Sequence, residues 1–191
     1  LLHGLIIQSG NDAAIALAEG IAGSEETFAE RMNQQASKLG MQATHYMNAT
    51  GLHHPQHFTT AADLALLANA LIRDFPDQYK TLYSIKEYTY NKITQPNRNR
   101  LLWLDPFEDG MKTGHTNTAG YCLIASAKRE DMRLISVILG ACSEATRATE
   151  SQKLLNYGFQ FYESKRVYAA NKAISSFRVW KGSENMLEAS V

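Results

Sequence analysis

Ser9-Gly10-Asn11 and Lys112-Thr113-Gly114 hold the side chains of this sequence best suited to chemistry. Hydroxyls and carboxamides both donate and accept hydrogen bonds, and an ammonium adds charge, so together they could move protons and bind a polar ligand. Taken alone, Ser-x-Asn carries little weight. It recurs at Ser183-Glu184-Asn185 in a different context, and its default is an ordinary turn at a helix start. Lys-Thr-Gly is rarer: at about 5–7% usage per residue, a chance match in a chain of this length is on the order of a few per cent. By itself it still reads as a strand ending at a glycine. The pair says more than either half, because the serine motif lies between two helical segments and the lysine motif on a strand about a hundred residues later.

The elements that must position these groups follow from periodicity and turn chemistry. Residues 1 to 8 are largely apolar and end at Gln8-Ser9-Gly10-Asn11, after which Asp12 opens the run Ala13 to Ala18. Two helical segments broken by a tight turn are predicted. With alanine on nearly every side, the second should be buried and hold the turn rigidly. A further helix runs from Ser24 as N-cap to Gly40, and residues 41 to 58 form a long loop. Thr60 to Asp63 opens a helix with Leu64, Leu67, Leu71 and Ile72 at helical spacing, ending before Pro76. Glu87 to Ile93 is rich in strand formers, and the polar stretch Thr94 to Arg100 returns the chain toward Leu101-Leu102-Trp103. Asp109 to Thr116 is a candidate strand. Tyr121 to Ala127 and Leu134 to Ala141 are nearly continuous apolar runs around a turn at Glu130-Asp131, which predicts strands covered on both faces. Glu144 to Tyr162 is a helix. Residues 1–164 are thus one domain, and 165–191 read as the opening of a β-rich second domain.

Composition narrows the function classes. The chain has 191 residues, with 19 Lys plus Arg against 19 Asp plus Glu. It lacks the cationic excess by which nucleic-acid binders meet phosphate, so no nucleic-acid partner is expected. No stretch approaches the ~18 apolar residues of a membrane span. A hairpin turning at residues 130–131 would pair positions summing to about 261, placing Cys122 opposite Leu139 and away from Cys142; no disulfide is expected. His53, His54 and His57 invite a zinc reading. Pro55 disfavours a helix through them, and no metal and no cofactor are expected. The Tyr and Phe stripe at 157 to 162 reads as core, and Arg98 and Arg100 as bracing a turn.

The motifs sit within longer matching stretches: Leu5 to Ala13, Lys86 to Asn91, Asn97 to Trp103, Asp109 to Thr116 and Lys153 to Phe159. Across essentially its whole length the chain resembles the low-molecular-mass penicillin-binding proteins that act as D-alanyl-D-alanine carboxypeptidases, the penicillin-binding protein 5 and 6 group. Their Ser-x-Asn then Lys-Thr-Gly order is kept, with glycine here in place of the usual middle Asp. The resemblance implies an α/β (α+β) fold, an antiparallel sheet flanked by helices as in β-lactamases and DD-peptidases. It also implies removal of the terminal D-alanine from peptidoglycan pentapeptide, acylation by β-lactam antibiotics, and a periplasmic protein peripheral on the inner membrane through an anchor beyond Val191.

Residue by residue, Ser9 resembles the hydroxyl that relays a proton to the leaving D-alanine nitrogen, and Asn11 the amide that holds the peptide carbonyl. Lys112 resembles the cation that polarises the Ser9 network and attracts the substrate carboxylate. Thr113 would offer that carboxylate a hydroxyl, Gly114 would let the peptide approach, and the backbone N–H of His115 would be an oxyanion donor. Arg147 resembles a second carboxylate anchor; a solvated arginine at a helix start is the plain alternative. His57 is placed near the cleft, outside the catalytic set. No serine in the chain has a lysine three residues later. The Ser-x-x-Lys nucleophile of the family is therefore expected upstream of Leu1, and the isolated chain is expected to be inactive. A β-lactamase is disfavoured because no Glu-x-x-Leu-Asn lies between Ser9 and Lys112. A cell-wall-binding module that lost its serine is the non-enzymatic alternative.

Overall fold

The computed structural model describes residues 1–190. Contacts divide the chain into a unit Leu1–Phe161 and a second beginning at Tyr162. The first is built on a three-stranded antiparallel sheet of β3 (Glu108–Thr116), β4 (Gly120–Arg129) and β5 (Met132–Ala141), in that spatial order. Alternation along the strands sends side chains to opposite faces. Leu123, Ala125, Ala127 and Leu134 pack with Leu155 and Ala148 of α7 (Glu144–Phe161). Ile124 and Ile135 instead join Met111 in a cluster with Ala68 of α4 (Ala61–Asp74) and Tyr79 of α5 (Pro76–Leu82). The sheet is thus covered on both faces, which explains why its strands are apolar runs rather than simple alternations.

Most element boundaries have local causes already visible in the chain. α1 (Leu2–Gln8) and α2 (Asn11–Ala22) flank the Ser9-Gly10 turn. Ser24 caps α3 (Glu25–Lys38) by accepting from Thr27 N–H at 3.1 Å, and Thr60 caps α4 by accepting from Asp63 N–H at 3.2 Å. Proline stops α4 as expected, but Pro76 also opens α5 as its first residue, where its missing N–H leaves no bond unmade.

Four expectations need correction. α2 is not buried all round: only the face bearing Ala13, Ala14 and Ala18 is covered, while Asp12, Ala16, Glu19 and Ile21 are exposed. Small side chains allowed close packing on one side without requiring it on the other. The strand over 87 to 93 is instead a hairpin of β1 (Glu87–Tyr90) and β2 (Ile93–Pro96), because Asn91 and Lys92 both take positive φ, 48° and 64°. The β4–β5 register keeps its expected sum as far as Leu123↔Ile138, then slips by one so that Tyr121 faces Ala141. Both cysteines are free thiols. The 157 to 162 stripe is not core: Tyr157, Phe161 and Tyr162 are exposed, and Phe159 lies partly buried under the Arg129 guanidinium, 4.3 Å from its ring centroid. In the second unit, β6 (Ala173–Arg178) pairs antiparallel with β7 (Met186–Ser190).

Polar residues lock the base of β3. Asn97 donates to Ile85 C=O at 2.9 Å, its Oδ1 accepts from Asn99 N–H at 2.9 Å, and Asn99 donates to Glu108 Oε1 at 2.6 Å. Asn97, Asn99 and Glu108 are all buried, and Glu108 Oε2 has no partner. Burial pushes the Glu108 carboxyl up to about 8. Two residues on, Gly110 takes φ 152° at the bulge in β3, where a Cβ would stand 2.7 Å from Tyr79 Oη and 2.9 Å from Tyr83 Cβ.

Three stability measurements check this frame. Gly110→Ala is expected to lower the urea unfolding free energy by about 2–3 kcal/mol. Gly20→Ala, in an exposed helical position whose Cβ would meet nothing within 4 Å, is expected to raise it by up to about 1 kcal/mol. Glu108 keeps its proton in the folded state while the unfolded chain loses it above about 4.5, so its burial subtracts stability progressively as pH rises through the interval up to about 8. Glu108→Gln, uncharged at every pH, is expected to be relatively more stable at pH 8 than at pH 5, by on the order of a few kcal/mol in paired denaturation curves.

Candidate active site

The turn between α1 and α2 is the first wall of the site. Gly10 N–H closes α1 by bonding Gly4 C=O at 3.0 Å, with Ser9 in the left-handed region at φ 56° and ψ 42°. A residue other than glycine there costs of order 1 kcal/mol, and the Ser9 hydroxyl meets Lys112 across the cleft. Asn11 follows as the first residue of α2. The opposite wall is β3, which lies at the edge of the three-stranded sheet. Lys112 reaches across from it: Nζ donates to Ser9 Oγ and, at 2.7 Å, to the carbonyl of Thr113.

Ser9, Asn11, Lys112, Thr113, Gly114, His115 and Arg147 all line one cleft of about 510 Å³. The residues given catalytic or substrate-binding roles by the resemblance are therefore brought together in one place. Lys112 is the electrostatic centre. Burial, then the positive charges of Arg98 and Arg147, push its ammonium down to about 8. Gly114 is not demanded by internal packing, since a Cβ there would meet only Cys122 Cβ at 3.7 Å.

Arg147 is not a solvated helix-start residue. It is 4% exposed, donating to Gly114 C=O at 3.2 Å, to Arg98 C=O at 3.4 Å and to Glu144 at 3.1 Å. The plain alternative fails because the guanidinium is buried between the carbonyls of Gly114 and Arg98 rather than facing water. Tyr121 sits beneath the guanidinium, 5.6 Å from the ring centroid, and stacks at 4.1 Å on His115.

Sequence reasoning missed part of the lining. Thr50, Gly51 and Leu52, from the loop 41 to 58, form a third side of the cleft. That loop is fixed at its start, where Asn33 bonds Tyr46 N–H and C=O at 2.7 and 2.8 Å and buried Asp63 accepts from Ala43 N–H and Thr44 Oγ1 at 2.8 and 2.6 Å, and it is closed by the backbone pair of His45 with Phe58. Its length was the one available signal, because ordered loops this long are commonly functional. His57 lines an adjoining cavity with Ser9, Asn11, Lys112 and Thr113. Its Nδ1 accepts from Met47 N–H at 3.3 Å, and burial, with His45 and His54 nearby, pushes its pKa down. Among the described residues no group of three or more His, Cys, Asp or Glu side chains is arranged to hold a metal ion, and no helix is long and apolar enough to cross a membrane.

This geometry has close relatives. The family model described as D-alanyl-D-alanine carboxypeptidase matches residues 1–143. The chain is 51% identical over 186 residues to D-alanyl-D-alanine carboxypeptidase DacC of Escherichia coli, covering 97% of this chain and 46% of that protein. Among solved structures it is similar to penicillin-binding protein 5 from Haemophilus influenzae, with TM-score 0.90 and 45% identity over 97% of this chain and 54% of that one. Penicillin-binding protein D2 from Listeria monocytogenes, solved in a cefotaxime-bound form, aligns with TM-score 0.76 and 35% identity over 82% of this chain and 64% of that one. The chain spans about half the length of the curated relatives it matches. The helix-flanked antiparallel sheet is the fold of the DD-peptidases and β-lactamase-like penicillin-binding proteins. By the family-model match over residues 1–143 and these identities, the chain belongs to the D-alanyl-D-alanine carboxypeptidase family.

Proposed function

We propose that this chain supplies the proton-relay and substrate-binding walls of a serine-type D-alanyl-D-alanine carboxypeptidase. The observation that carries the reading is the direct hydrogen bond between Lys112 Nζ and Ser9 Oγ inside a cleft that Asn11, Thr113 and Gly114 also line. On this reading the nucleophilic serine and its lysine stand in a segment that precedes Leu1, because no Ser-x-x-Lys occurs within the chain. The substrate is a peptidoglycan pentapeptide, and β-lactam antibiotics acylate the same serine. The intact protein acts in the periplasm at the inner membrane, held by a segment beyond Val191.

The chemistry divides among the residues as follows. The serine oxygen attacks the carbonyl of the penultimate D-alanine and its proton passes to the neighbouring base. As the C–N bond breaks, Ser9 gives its proton to the departing amine and is resupplied through Lys112. Asn11 holds a peptide carbonyl and the backbone N–H of His115 faces the oxyanion. Lys112, Thr113 and Arg147 meet the terminal carboxylate, a charge-assisted site that selects a free C-terminus. Water then releases the acyl group as a carboxylic acid. Burial of Arg147 against three protein acceptors makes it a preorganised partner rather than a swinging one.

Covalent labelling, a Ser9 variant and the pH profile test the assignment. The intact polypeptide is expected to label covalently with a fluorescent penicillin, and the 191-residue chain alone is not; labelling of the chain alone overturns the upstream placement of the nucleophile. Ser9→Ala in the intact protein should reduce kcat on a D-Ala-D-Ala peptide by roughly 10²-fold or more with little change in KM. The pH profile is the third test. Lys112 must carry its proton to hold the carboxylate, and it loses it as pH rises through about 8. The kcat/KM, which reports the free enzyme, should therefore fall about tenfold per pH unit above that point. The limb in kcat should lie higher, because bound carboxylate favours the charged lysine. A kcat/KM that rises through the same range would refute the role given to Lys112.

A further inference from the structure

Asn97-Arg98-Asn99 belongs to none of the roles above, yet its bonds run to both walls of the cleft. Arg98 N–H donates to Ile7 C=O at 3.2 Å, and Arg98 Nε donates to Gln8 C=O at 2.8 Å. Ile7 and Gln8 are the last residues of α1 before Ser9. The Arg98 carbonyl in turn accepts from Arg147, whose other Nη donates to Gly114 C=O on β3. On either side the two buried asparagines pin the turn, Asn97 to Ile85 and Asn99 to Glu108 at the base of β3. The Arg98 side chain is exposed, as is that of Arg100, but it lines the cleft and Arg100 does not.

We propose that Arg98 is a positioning residue for the Ser9–Lys112 pair: its guanidinium locks the turn that presents the Ser9 hydroxyl and sets the charge felt by the Lys112 ammonium. The inference rests on the reading that this pair moves protons. The geometry separates the two effects. Holding Ser9 in its left-handed conformation depends on the Nε–H bond to Gln8, which is a matter of shape. Opposing a proton on Lys112 depends only on a positive charge nearby. The polar and titratable groups that share the cavities of Lys112 are Ser9 from the α1–α2 turn, Arg98 from the 97–100 turn, His115 and Tyr121 from β3 and β4, Arg147 with Glu144 from α7, and Tyr46 with His57 from the long loop. Of these, Arg98 is the larger electrostatic influence after burial itself.

A lysine substitution keeps the charge but cannot copy the fixed Nε–H, so it distinguishes the parts. In the intact protein, the NMR titration of the Lys112 Cε resonance, assigned by its loss in Lys112→Arg, should have its midpoint near about 8. Arg98→Gln should move that midpoint up by roughly half a pH unit. Arg98→Lys, and Arg100→Gln as an exposed arginine that does not line the cleft, should leave it in place. Acylation by penicillin, measured below the alkaline limb, should slow about tenfold in both Arg98 variants and remain unchanged in Arg100→Gln. A wild-type midpoint in Arg98→Gln, or a full acylation rate in Arg98→Lys, overturns the inference. A wild-type protein that penicillin does not acylate sinks the functional reading instead, while the Lys112 midpoint in Arg98→Gln still decides for or against Arg98.

Discussion

The contact on which the site depends is the one from Lys112 Nζ to Ser9 Oγ, made between residues 103 positions apart in the chain. An ammonium with little access to water is expensive unless its donors are satisfied. Here one goes to the hydroxyl and another to the carbonyl of Thr113. Two further cations, Arg98 and Arg147, stand close enough to disfavour its charge. The arrangement leaves Lys112 poised near neutrality. It persists because both ends are fixed: Ser9 by the left-handed end of α1, Lys112 by its place in the sheet.

What holds those ends apart at the right distance is a pair of apolar layers joined by a polar seam. Ala125 and Ala127 are fully buried and small, so α7 can lie close against β4 and bring Arg147 under the end of β3. On the other face, Tyr79 of α5 reaches Asp109 at 3.0 Å, and Arg133 clasps the same carboxylate at 2.7 and 2.8 Å. The seam runs through Asn97, Asn99 and Glu108, buried polar groups whose pairing sets where β3 begins. A slip of one residue in that strand would turn Lys112 from the cleft toward the opposite face. The cost of burying a carboxyl with one unpartnered oxygen is thus set against a register that the chemistry needs.

Much of this was legible before any coordinates. The helix–turn–helix around Ser9, the caps at Ser24 and Thr60, the central hairpin and α7 all carry local signals: cap residues, periodicity, and apolar runs broken by charge. The readings that failed concern packing rather than local preference. Burial of α2 was inferred from its alanines, but a small side chain permits contact on a face without providing a neighbour there. The aromatic stripe at the end of α7 reads as core in the sequence, whereas the structure leaves Tyr157 and Phe161 exposed. Thr50 to Leu52 escaped notice because a loop has no periodicity, and its position is imposed by Asn33 and Asp63 from two other helices.

The sequence by itself determined the kinds of groups available, the elements that carry them, and the family whose motif order they share. It could do so because caps, turns and strand runs act over a few residues, and because the two trigrams are chemically specific only as a pair. Only the tertiary structure decided that Arg147 is a buried brace, that Arg98 spans both walls, and that Lys112 titrates far below an ordinary lysine. Desolvation, charge proximity and hydrogen bonding to distant carbonyls are properties of a position in space, and adjacency in the chain does not encode them.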